Sequence, residues 1–396
     1  MTARRVVVVT GSRADFGLLS RVIAGLMARA DVECQVVVTG SHLSVEHGAT
    51  ASEIESSGVP IAWRVDLGLR GDSALETGQA MGRAVIGFAD AYHALQPDLI
   101  VVLGDRYEIL AAVSAAAVAS IPVAHLHGGE LSEGAVDDAL RHAITKLSHL
   151  HFVAAEPYRQ RVVQLGEAPE RVVVVGGMGV DLARHTPLWS RERLALDTGF
   201  VFGARNLIVT FHPVTLDQQQ GDAELEALLQ ALGSMTETHL LFTLPNADVG
   251  NAGIRARILA FVTAHASAWA FPSLGFVRYL SFVAASDGVV GNSSSGLIEA
   301  PALGVGTLNV GGRQAGRLRA SSVIDCVAER GSIEAALAQM FSPEFRASLS
   351  EIRNPYGEGG GADEVVRVLC MTESAGLLVK HFHDIQCPAL AQEQNA

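Results

Sequence analysis

Short apolar runs alternate with longer segments of helical spacing through most of the chain. In the first half, runs rich in valine, isoleucine and leucine alternate with segments whose apolar residues recur every three to four positions. The continuous apolar runs are typical of strands buried on both faces of a parallel sheet. The pattern predicts strands over residues 5–10, 33–39, 99–103, 121–124, 150–154 and 171–175, and helices over residues 18–28, 77–95, 109–120, 141–148 and 158–165. This alternation indicates a doubly wound α/β sheet.

A second, similar series begins after the pattern loosens around residues 181–206. It predicts strands over residues 206–211, 239–244, 288–290 and 307–310, and helices over residues 223–232, 254–264 and 297–303. At 396 residues the chain is too long for one ordinary core. We therefore expect two similar α/β domains facing each other, residues 1–180 and 181–365. Residues 366–396 would form a C-terminal helix and tail, for which packing back on the N-terminal domain is one arrangement.

The composition fits a soluble globular protein and argues against several classes of function. Apolar residues make up 49% and charged residues 18%. A formal net charge of −13 argues against a general nucleic-acid-binding surface. The longest apolar stretch, residues 109–124, is too short to span a membrane. The four cysteines are scattered without a C-x-x-C pair, and the first apolar run has the character of a strand, not of a signal peptide, so a reducing cytoplasm is expected.

Ionisable residues cluster after two strands that are predicted to be neighbours, residues 99–103 and 121–124. In parallel sheets, ligands bind beyond the carboxyl ends of the strands. Eight ionisable residues fall there or shortly after: Asp105, Arg106, Glu108, His127, Glu130, Asp137, Arg141 and His142. Few structural needs place so many of them at strand ends, so this stretch is interpreted as the reaction centre.

Some of these residues also have structural explanations. Asp105 and Arg106, with Glu108, could form an ion pair that steadies the loop, since structural pairs also perturb pKa values. Asp137 could cap the N-terminus of the helix that carries Arg141. A capping carboxylate can still face a ligand, so both interpretations of Asp137 stay open.

A metal ion and a dinucleotide are alternative ligands. His125 and His127 alternate on one strand with Glu130 nearby, but no third ligand has the spacing of a zinc site. The turn after the first strand, residues 11–15, lacks the G-x-G-x-x-G pattern of a dinucleotide site. Arg13 in this turn could pair with phosphate or stack on a base, or simply cap the loop. We therefore expect neither a metal nor a cofactor.

The second series offers groups that suit an anion. His212 ends its first strand, at the mouth of the domain. Residues 291–296, Gly-Asn-Ser-Ser-Ser-Gly, open a helix whose free N–H groups and positive end could hold phosphate. Glu299, one turn later, would suit a ribose diol. Arg313 and Arg317 bring positive charge in a following loop.

Together these stretches resemble the hydrolysing UDP-N-acetylglucosamine 2-epimerase family. This family includes enzymes that act on UDP- or GDP-linked N,N'-diacetylbacillosamine for legionaminic-type sugars. The Gly-Ser-Arg-Ala-Asp turn is typical of the hydrolysing branch, since non-hydrolysing epimerases open with a Gly-Thr-Arg-Pro-Glu type of turn. The motifs that carry the resemblance lie at residues 11–16, 104–108, 127–130, 137–146, 212–215, 291–296 and 311–317.

The resemblance implies a glycosyltransferase-B-like fold, with two Rossmann-like domains and a nucleotide sugar in the cleft between them. It also implies a homo-oligomer, a dimer or tetramer. By motif, the residues that bind the substrate and its nucleotide would be Arg13, Asp15, Arg106, Glu108, Arg141, Asn246, Ser293, Ser294, Ser295, Glu299 and Arg313. The catalytic residues would be Asp105, His127, Glu130, Asp137 and His212. Sialic-acid-type relatives carry a glutamate at the position of His127, and this departure could signal a different sugar.

The expected reaction converts UDP-N-acetylglucosamine or UDP-N,N'-diacetylbacillosamine into the free 2-epimer and UDP. The C2 proton has no adjacent carbonyl to acidify it, so its removal must accompany loss of the diphosphate, giving a glycal that is then hydrated. Two faces of C2 need proton-transfer groups, which carboxylates with tuned pKa values can supply. A glycosyltransferase of the same architecture and a nucleotide-sugar-binding regulator are the alternatives, and a GDP-linked substrate also stays open.

Overall fold

Two parallel β-sheets form the framework of the molecule. The computed structural model describes residues 3–44, 49–69, 71, 73–132, 135–212, 218–244, 251–373 and 376–385, apart from the side chains of residues 218–220 and 251–252. Within these ranges, the strands of the N-terminal sheet are β1 (Arg4–Thr10), β2 (Val32–Thr39), β3 (Ile61–Val65), β4 (Leu99–Leu103), β5 (Val123–Leu126), β6 (Leu150–Val153) and β7 (Val172–Val174). Those of the C-terminal sheet are β8 (Arg205–Thr210), β9 (Thr238–Thr243), β10 (Ala268–Phe271), β11 (Gly288–Gly291), β12 (Thr307–Val310) and β13 (Val323–Cys326).

The two sheets share one topology. The strand order is β3-β2-β1-β4-β5-β6-β7 in the first sheet and β10-β9-β8-β11-β12-β13 in the second, with every pairing parallel. Each sheet therefore starts near its centre and reverses direction once, between β1 and β4 or between β8 and β11. Ligands of doubly wound sheets bind at this reversal, beyond the carboxyl ends of the strands. The predicted fold of two Rossmann-like units is confirmed.

Helices cover both faces of each sheet. Those in the N-terminal part are α1 (Arg13–Met27), α2 (Ala51–Ser56), α3 (Ala74–Leu95), α4 (Tyr107–Val118), α5 (Val136–Leu147), α6 (Glu156–Gln164) and α7 (Met178–His185). The rest are α8 (Arg191–Thr198), α9 (Gln218–Gly233), α10 (Asn251–Ala264), α11 (Gly275–Ala285), α12 (Ser295–Ala302), α13 (Arg330–Met340), α14 (Pro343–Ser348) and α15 (Gly361–Met371). No helix in the described ranges combines the length and the apolar character that a membrane span requires.

Helix α1 begins earlier than the sequence pattern predicted. The pattern predicted a helix over residues 18–28, but α1 begins at Arg13, and the turn before it consists of Gly11 and Ser12 alone. The Ser12 hydroxyl accepts a hydrogen bond from the Asp15 N–H at 3.3 Å and caps the helix. The early start places the positive end of α1, with Arg13 and Asp15, directly at the carboxyl edge of the sheet.

The C-terminal helix α15 packs against the N-terminal sheet. Val365 and Leu369 of α15 are buried in the same core as Val6 of β1. The Arg4 guanidinium donates to the carbonyl oxygens of Leu369 (2.6 Å) and Thr372 (2.8 Å), near the end of α15. The predicted domain boundaries, 180/181 and 365/366, fall inside α7 and α15, so the proposed division of the chain stays a prediction.

Candidate active site

One cavity of about 710 Å³ lies between the carboxyl edges of the two sheets. Its walls include most of the residues that the sequence singled out: Arg13, Asp15, Asp105, Arg106, His127, Glu130, Asp137, Arg141, His212, Ser293, Ser294, Ser295, Glu299 and Arg313. Glu108 is fully buried behind Arg106 and is not part of the lining. Asn246 lies outside the described residues.

Arg141 links the loops that follow β4 and β5. It is 2% exposed, and its guanidinium pairs with Asp105 Oδ2. The same group donates to the backbone oxygen of Glu130 at 3.0 Å and to Ser132 Oγ at 3.1 Å. Because α5 carries this residue between the two strand ends, one side chain fixes the positions of Asp105 and Glu130 relative to each other.

The structure corrects one explanation of Asp137. The residue at the N-cap position of α5 is Ala135, and Asp137 lies in the first turn of the helix. A carboxylate there still interacts favourably with the positive end of the helix. Asp137 contributes to the cavity wall, and the neighbouring Asp138 instead makes the local backbone contact, accepting a hydrogen bond from the Ser132 N–H at 2.7 Å.

His127 and Glu130 form a hydrogen bond whose donor and acceptor can be assigned. The backbone N–H of Met178 points at His127 Nε2 from 3.1 Å, so this nitrogen is the acceptor. Nδ1 therefore carries the proton and donates it to Glu130 Oε1 at 2.7 Å. Since both ring nitrogens are used within the protein, the geometry favours an orienting role for His127, which the sequence predicted as a catalytic residue without assigning its role.

Glu130 is a buried carboxylate that is held in its charged form. Only 2% of the residue is exposed. Burial opposes the charge, but Arg317 and His127 together hold the pKa of Glu130 below its ordinary value. The Arg317 guanidinium lies 3.5 Å from Oε2. Glu130 is therefore available as a proton acceptor at neutral pH.

Asp15 has the opposite electrostatic character. Burial, reinforced by the nearby charge of Glu108, raises its pKa to about 6, although Arg106 acts against the shift. Arg106 itself is paired with Glu108 Oε1 at 2.6 Å. The sequence analysis had considered such an ion pair as a structural explanation for these residues, and the pair holds Arg106 at the cavity.

A side chain placed at Gly11 would collide with Glu108, since its Cβ would lie 2.6 Å from Oε1.

The C-terminal sheet supplies an anion cradle at the start of α12. Asn292 organises it: its amide oxygen accepts from the His212 N–H at 2.7 Å, and its amide nitrogen donates to the His212 carbonyl at 2.9 Å. Arg313 Nη1 donates to the Asn292 carbonyl at 3.0 Å. These contacts bring His212, Arg313 and the serines at 293–295 to one helix N-terminus, where backbone N–H groups favour an anion.

Glu299 lies where the wall of the cavity meets α7. Burial raises its pKa above the ordinary value. A Cβ atom at Gly179 would stand 2.4 Å from Glu299 Oε1, so the carboxyl group occupies the space that only a glycine leaves open. Glu299 is therefore packed against the backbone and aligned along the cavity wall.

Gln314, Tyr279 and Ser132 belong to the site but were not predicted as site residues, whereas Arg317 was predicted only as a source of positive charge. Gln314 donates to the Asn292 carbonyl at 2.8 Å, and the Tyr279 hydroxyl donates to Ser295 Oγ at 2.8 Å. Ser132 accepts from Arg141, and Arg317 reaches the same hydroxyl at 3.3 Å. Gln314 and Arg317 lie in a motif that was recognised, residues 311–317, but Tyr279 lies on α11, which the sequence pattern did not reveal. Among the described residues, no group of three histidine, cysteine or carboxylate side chains could hold a metal ion.

Comparison with known proteins places the chain among epimerases. A sequence profile described as UDP-N-acetylglucosamine 2-epimerase matches residues 24–370. The GDP/UDP-N,N'-diacetylbacillosamine 2-epimerase (hydrolyzing) of Campylobacter jejuni is 34% identical over 347 residues, covering 87% of this chain and 90% of the relative. The polysialic acid biosynthesis protein P7 of Escherichia coli is 34% identical over 384 residues, covering 96% and 98%. The structure of Neisseria meningitidis UDP-GlcNAc 2-epimerase bound to UDP-GlcNAc has a TM-score of 0.79 at 18% identity, covers 93% of this chain and 100% of that chain, and supports the fold.

Proposed function

The chain belongs to the UDP-N-acetylglucosamine 2-epimerase family, and we propose that it hydrolyses UDP-N,N'-diacetylbacillosamine to UDP and the free 2-epimer. A hydrolysing 2-epimerase must move protons at C2 and release a diphosphate from C1 in one site. The observation that carries the proposal is the arrangement of the cavity. Asp105, Glu130 and Asp137 line it from the N-terminal sheet, and Arg313 and the α12 cradle line it from the C-terminal sheet.

The choice of sugar is supported by His127. In sialic-acid-type relatives a glutamate at this position adds a second carboxylate, which can accept hydrogen bonds from sugar hydroxyls. Here a neutral imidazole is committed to Glu130 and Met178. Diacetylbacillosamine has an acetamido group at C4 and no hydroxyl at C6, so it offers fewer hydroxyl donors for such a carboxylate. UDP-N-acetylglucosamine is the competing substrate, since one relative of equal identity is named for polysialic acid biosynthesis and another, 32% identical, is named a UDP-N-acetylglucosamine 2-epimerase.

The first step is elimination. We assign Glu130 as the group that takes the C2 proton, because its charged form is favoured and its position is fixed by His127. As the C2–H bond breaks, a double bond forms between C1 and C2, and the C1–O electron pair leaves with UDP. The departing diphosphate gains charge next to Arg313 and the N-terminus of α12, which stabilise it. The products of this step are UDP and a 2-acetamido glycal.

The second step is hydration of the glycal. A proton is delivered to C2 from the opposite face, and the oxygen of water bonds to C1 while a carboxylate accepts the proton that this water loses. Asp105 and Asp137 line the same cavity and are the residues that we assign to these transfers. The sum is nucleotide sugar plus water giving UDP and the free sugar inverted at C2.

The test is an NMR time course in D2O, with UDP-N,N'-diacetylbacillosamine, UDP-N-acetylglucosamine and GDP-N,N'-diacetylbacillosamine in three separate tubes. We expect UDP and a free 2-epimer with deuterium at C2 in the first tube, and slower or no turnover in the second. UDP release with the C2 hydrogen retained would indicate glycosyl hydrolysis or transfer, and turnover of the GDP-linked sugar alone would correct the nucleotide. Glu130→Gln should abolish C2 exchange, whereas Glu156→Gln, an exposed glutamate paired with Arg159, should not.

The cellular setting also belongs to the proposal. The nucleotide sugar and the scattered free cysteines fit a reducing cytoplasm. A legionaminic-type or sialic-type sugar for a cell-surface polymer would be the end product, and the family resemblance favours a homo-oligomer, either a dimer or a tetramer. Light scattering of the purified protein at several concentrations would measure its mass and decide the oligomeric state.

A further inference from the structure

Arg317 lies in the C-terminal half of the chain, but its side-chain hydrogen bonds and ion pair are with the N-terminal half. It lies in the loop after β12, four residues beyond Arg313. Its Nε donates to the Leu131 carbonyl at 3.0 Å, and Nη2 donates to Ser132 Oγ at 3.3 Å. The same Nη2 lies 3.5 Å from Glu130 Oε2, with 11% of the arginine side chain and 3% of the glutamate side chain exposed. This largely buried ion pair therefore links the two walls of the cavity.

The loop that carries Arg317 is anchored next to this contact. The Leu318 N–H donates to the Tyr158 hydroxyl at 3.2 Å, and the Tyr356 hydroxyl donates to the Leu318 carbonyl at 3.3 Å. The two tyrosine hydroxyls are themselves 3.1 Å apart. Because the backbone on one side of Arg317 is fixed by buried groups, its guanidinium is directed toward Glu130 before substrate binds.

Several charged or titratable groups surround Glu130. They come from β5 and its end, from α5, from α6, from the segment before α15 and from the loop after β12: His125, His127, Arg141, Tyr158, Tyr356 and Arg317. Arg141 contacts only the backbone oxygen of Glu130 and directs another nitrogen to Asp105. Among the described residues, the Glu130 carboxylate accepts a hydrogen bond from His127 and forms an ion pair with Arg317. Arg317 is thus the permanent cation aimed at this carboxylate.

We infer that Arg317 is a positioning residue that couples the placement of the two sheets to proton abstraction. Arg313 in the same loop faces the diphosphate cradle, so one loop carries both the cation for the leaving group and the cation paired with Glu130. Because this contact is in place before substrate binds, Arg317 keeps the proton acceptor oriented and charged when the nucleotide sugar arrives. Removing Arg317 would weaken both effects, because burial would act on Glu130 with less compensation. This inference rests on the proposed function, in which Glu130 accepts the C2 proton.

The test compares wild type with Arg317→Gln, Arg317→Lys and the control Arg330→Gln. Arg330 pairs with Glu334 on the surface of α13, so its variant removes one positive charge away from the cleft. The rate constants kcat and kcat/KM are measured from pH 5 to 9 by UDP release, alongside C2 deuterium exchange and calorimetric UDP binding. We expect the acidic limb of kcat/KM to move up by about one pH unit in Arg317→Gln, with kcat lowered roughly 10- to 100-fold. Arg317→Lys keeps a positive charge and should therefore show a smaller shift than Arg317→Gln. Arg330→Gln should match wild type.

Three outcomes would overturn the inference. An unshifted acidic limb in an active Arg317→Gln variant would show that Arg317 does not set the charge of Glu130. A large loss of UDP affinity with an unchanged pH profile would make Arg317 a nucleotide-binding residue instead. Equal defects in Arg317→Lys and Arg317→Gln, with lowered thermal stability in both, would indicate a structural role. If wild type itself released UDP without C2 exchange, the proposed function would fail, and this result is distinct from the other three.

Discussion

Replacing Asp15 by asparagine should stabilise the protein at neutral pH and not at acidic pH. Asp15 is 9% exposed, and its pKa is raised from 3.8 to about 6, mainly by burial. A shift of about two units corresponds to about 3 kcal/mol at about 1.36 kcal/mol per unit. The Gly11 N–H lies 3.3 Å from Oδ2 of Asp15, and an asparagine oxygen can accept the same bond. The Asp15→Asn variant would thus keep the local contact without carrying a buried charge.

The pH dependence follows from linkage. Because the pKa of Asp15 is higher in the folded protein than in the unfolded chain, its protonated form stabilises the fold fully below about pH 3.8. This contribution is lost as the pH rises through about 6, where the buried group ionises. The variant should therefore match wild type near pH 4, gain stability between pH 4 and 6, and hold a constant advantage of about 1–3 kcal/mol above pH 6.

Urea unfolding at pH 4, 5, 6, 7 and 8 measures this difference as a change in the transition midpoint. Asp90→Asn is the matched control, since it removes a carboxylate from an exposed position of α3. Its midpoint should differ from wild type by an amount that does not depend on pH. An Asp15→Asn variant that is less stable than wild type at pH 8 would refute the reasoning, because it would mean that the attraction to Arg106 outweighs the burial of charge.

Two further predictions concern the cavity wall and the C-terminal segment. In Gly179→Ala the new methyl group must displace the Glu299 carboxylate, so UDP affinity measured by calorimetry should fall about tenfold. The control variant Gly78→Ala, where a Cβ meets open space, should bind UDP as wild type does. Unchanged UDP affinity in Gly179→Ala would count against a ribose contact by Glu299. Lys380 donates to two backbone carbonyls and pairs with Glu167 at 2.8 Å. Lys380→Met should lower the free energy of unfolding by roughly 2–3 kcal/mol in urea titrations at pH 7, and an unaltered transition would show that this segment adds no stability.

The inner strands could be predicted from sequence because burial on both faces leaves a continuous apolar run. Strands β1, β4 and β8 were located within one residue of their observed ends. The missed strands, β3, β10 and β13, all lie at sheet edges. Part of each edge strand is exposed to solvent, so polar or partly exposed residues interrupt the apolar pattern. Examples are Trp63 and Arg64 in β3 and Asp325 in β13. Edge strands of four or five residues carry too weak a periodicity to distinguish them from loops.

The site could be predicted as far as it depends on strand order. Residues that follow adjacent parallel strands meet at one edge, and this placed Asp105 and Glu130 together without a structure. Contacts between the two sheets could not be predicted from strand order. Arg317 pairs with Glu130, and the Arg13 guanidinium donates to the Pro272 carbonyl at 3.2 Å. Both contacts depend on how the two sheets face each other. No periodicity along the chain encodes that relation, so sequence reasoning found the residues of each wall and not the pairs across the cleft.

The arrangement of charges explains how a protein with a net charge of −13 can bind an anionic substrate. The arginines of the N-terminal wall are largely committed to carboxylates: Arg106 to Glu108 and Arg141 to Asp105. Because these arginines offset the negative charge of their partner carboxylates, the N-terminal wall can hold carboxylates for proton transfer with less repulsion of the anionic substrate. The C-terminal wall instead offers hydroxyls, backbone N–H groups and Arg313 at the α12 N-terminus, where a carboxylate would repel diphosphate. Proton transfer and leaving-group stabilisation therefore act from opposite walls, and cleavage at C1 can accompany proton removal at C2 only when both walls contact the same ligand.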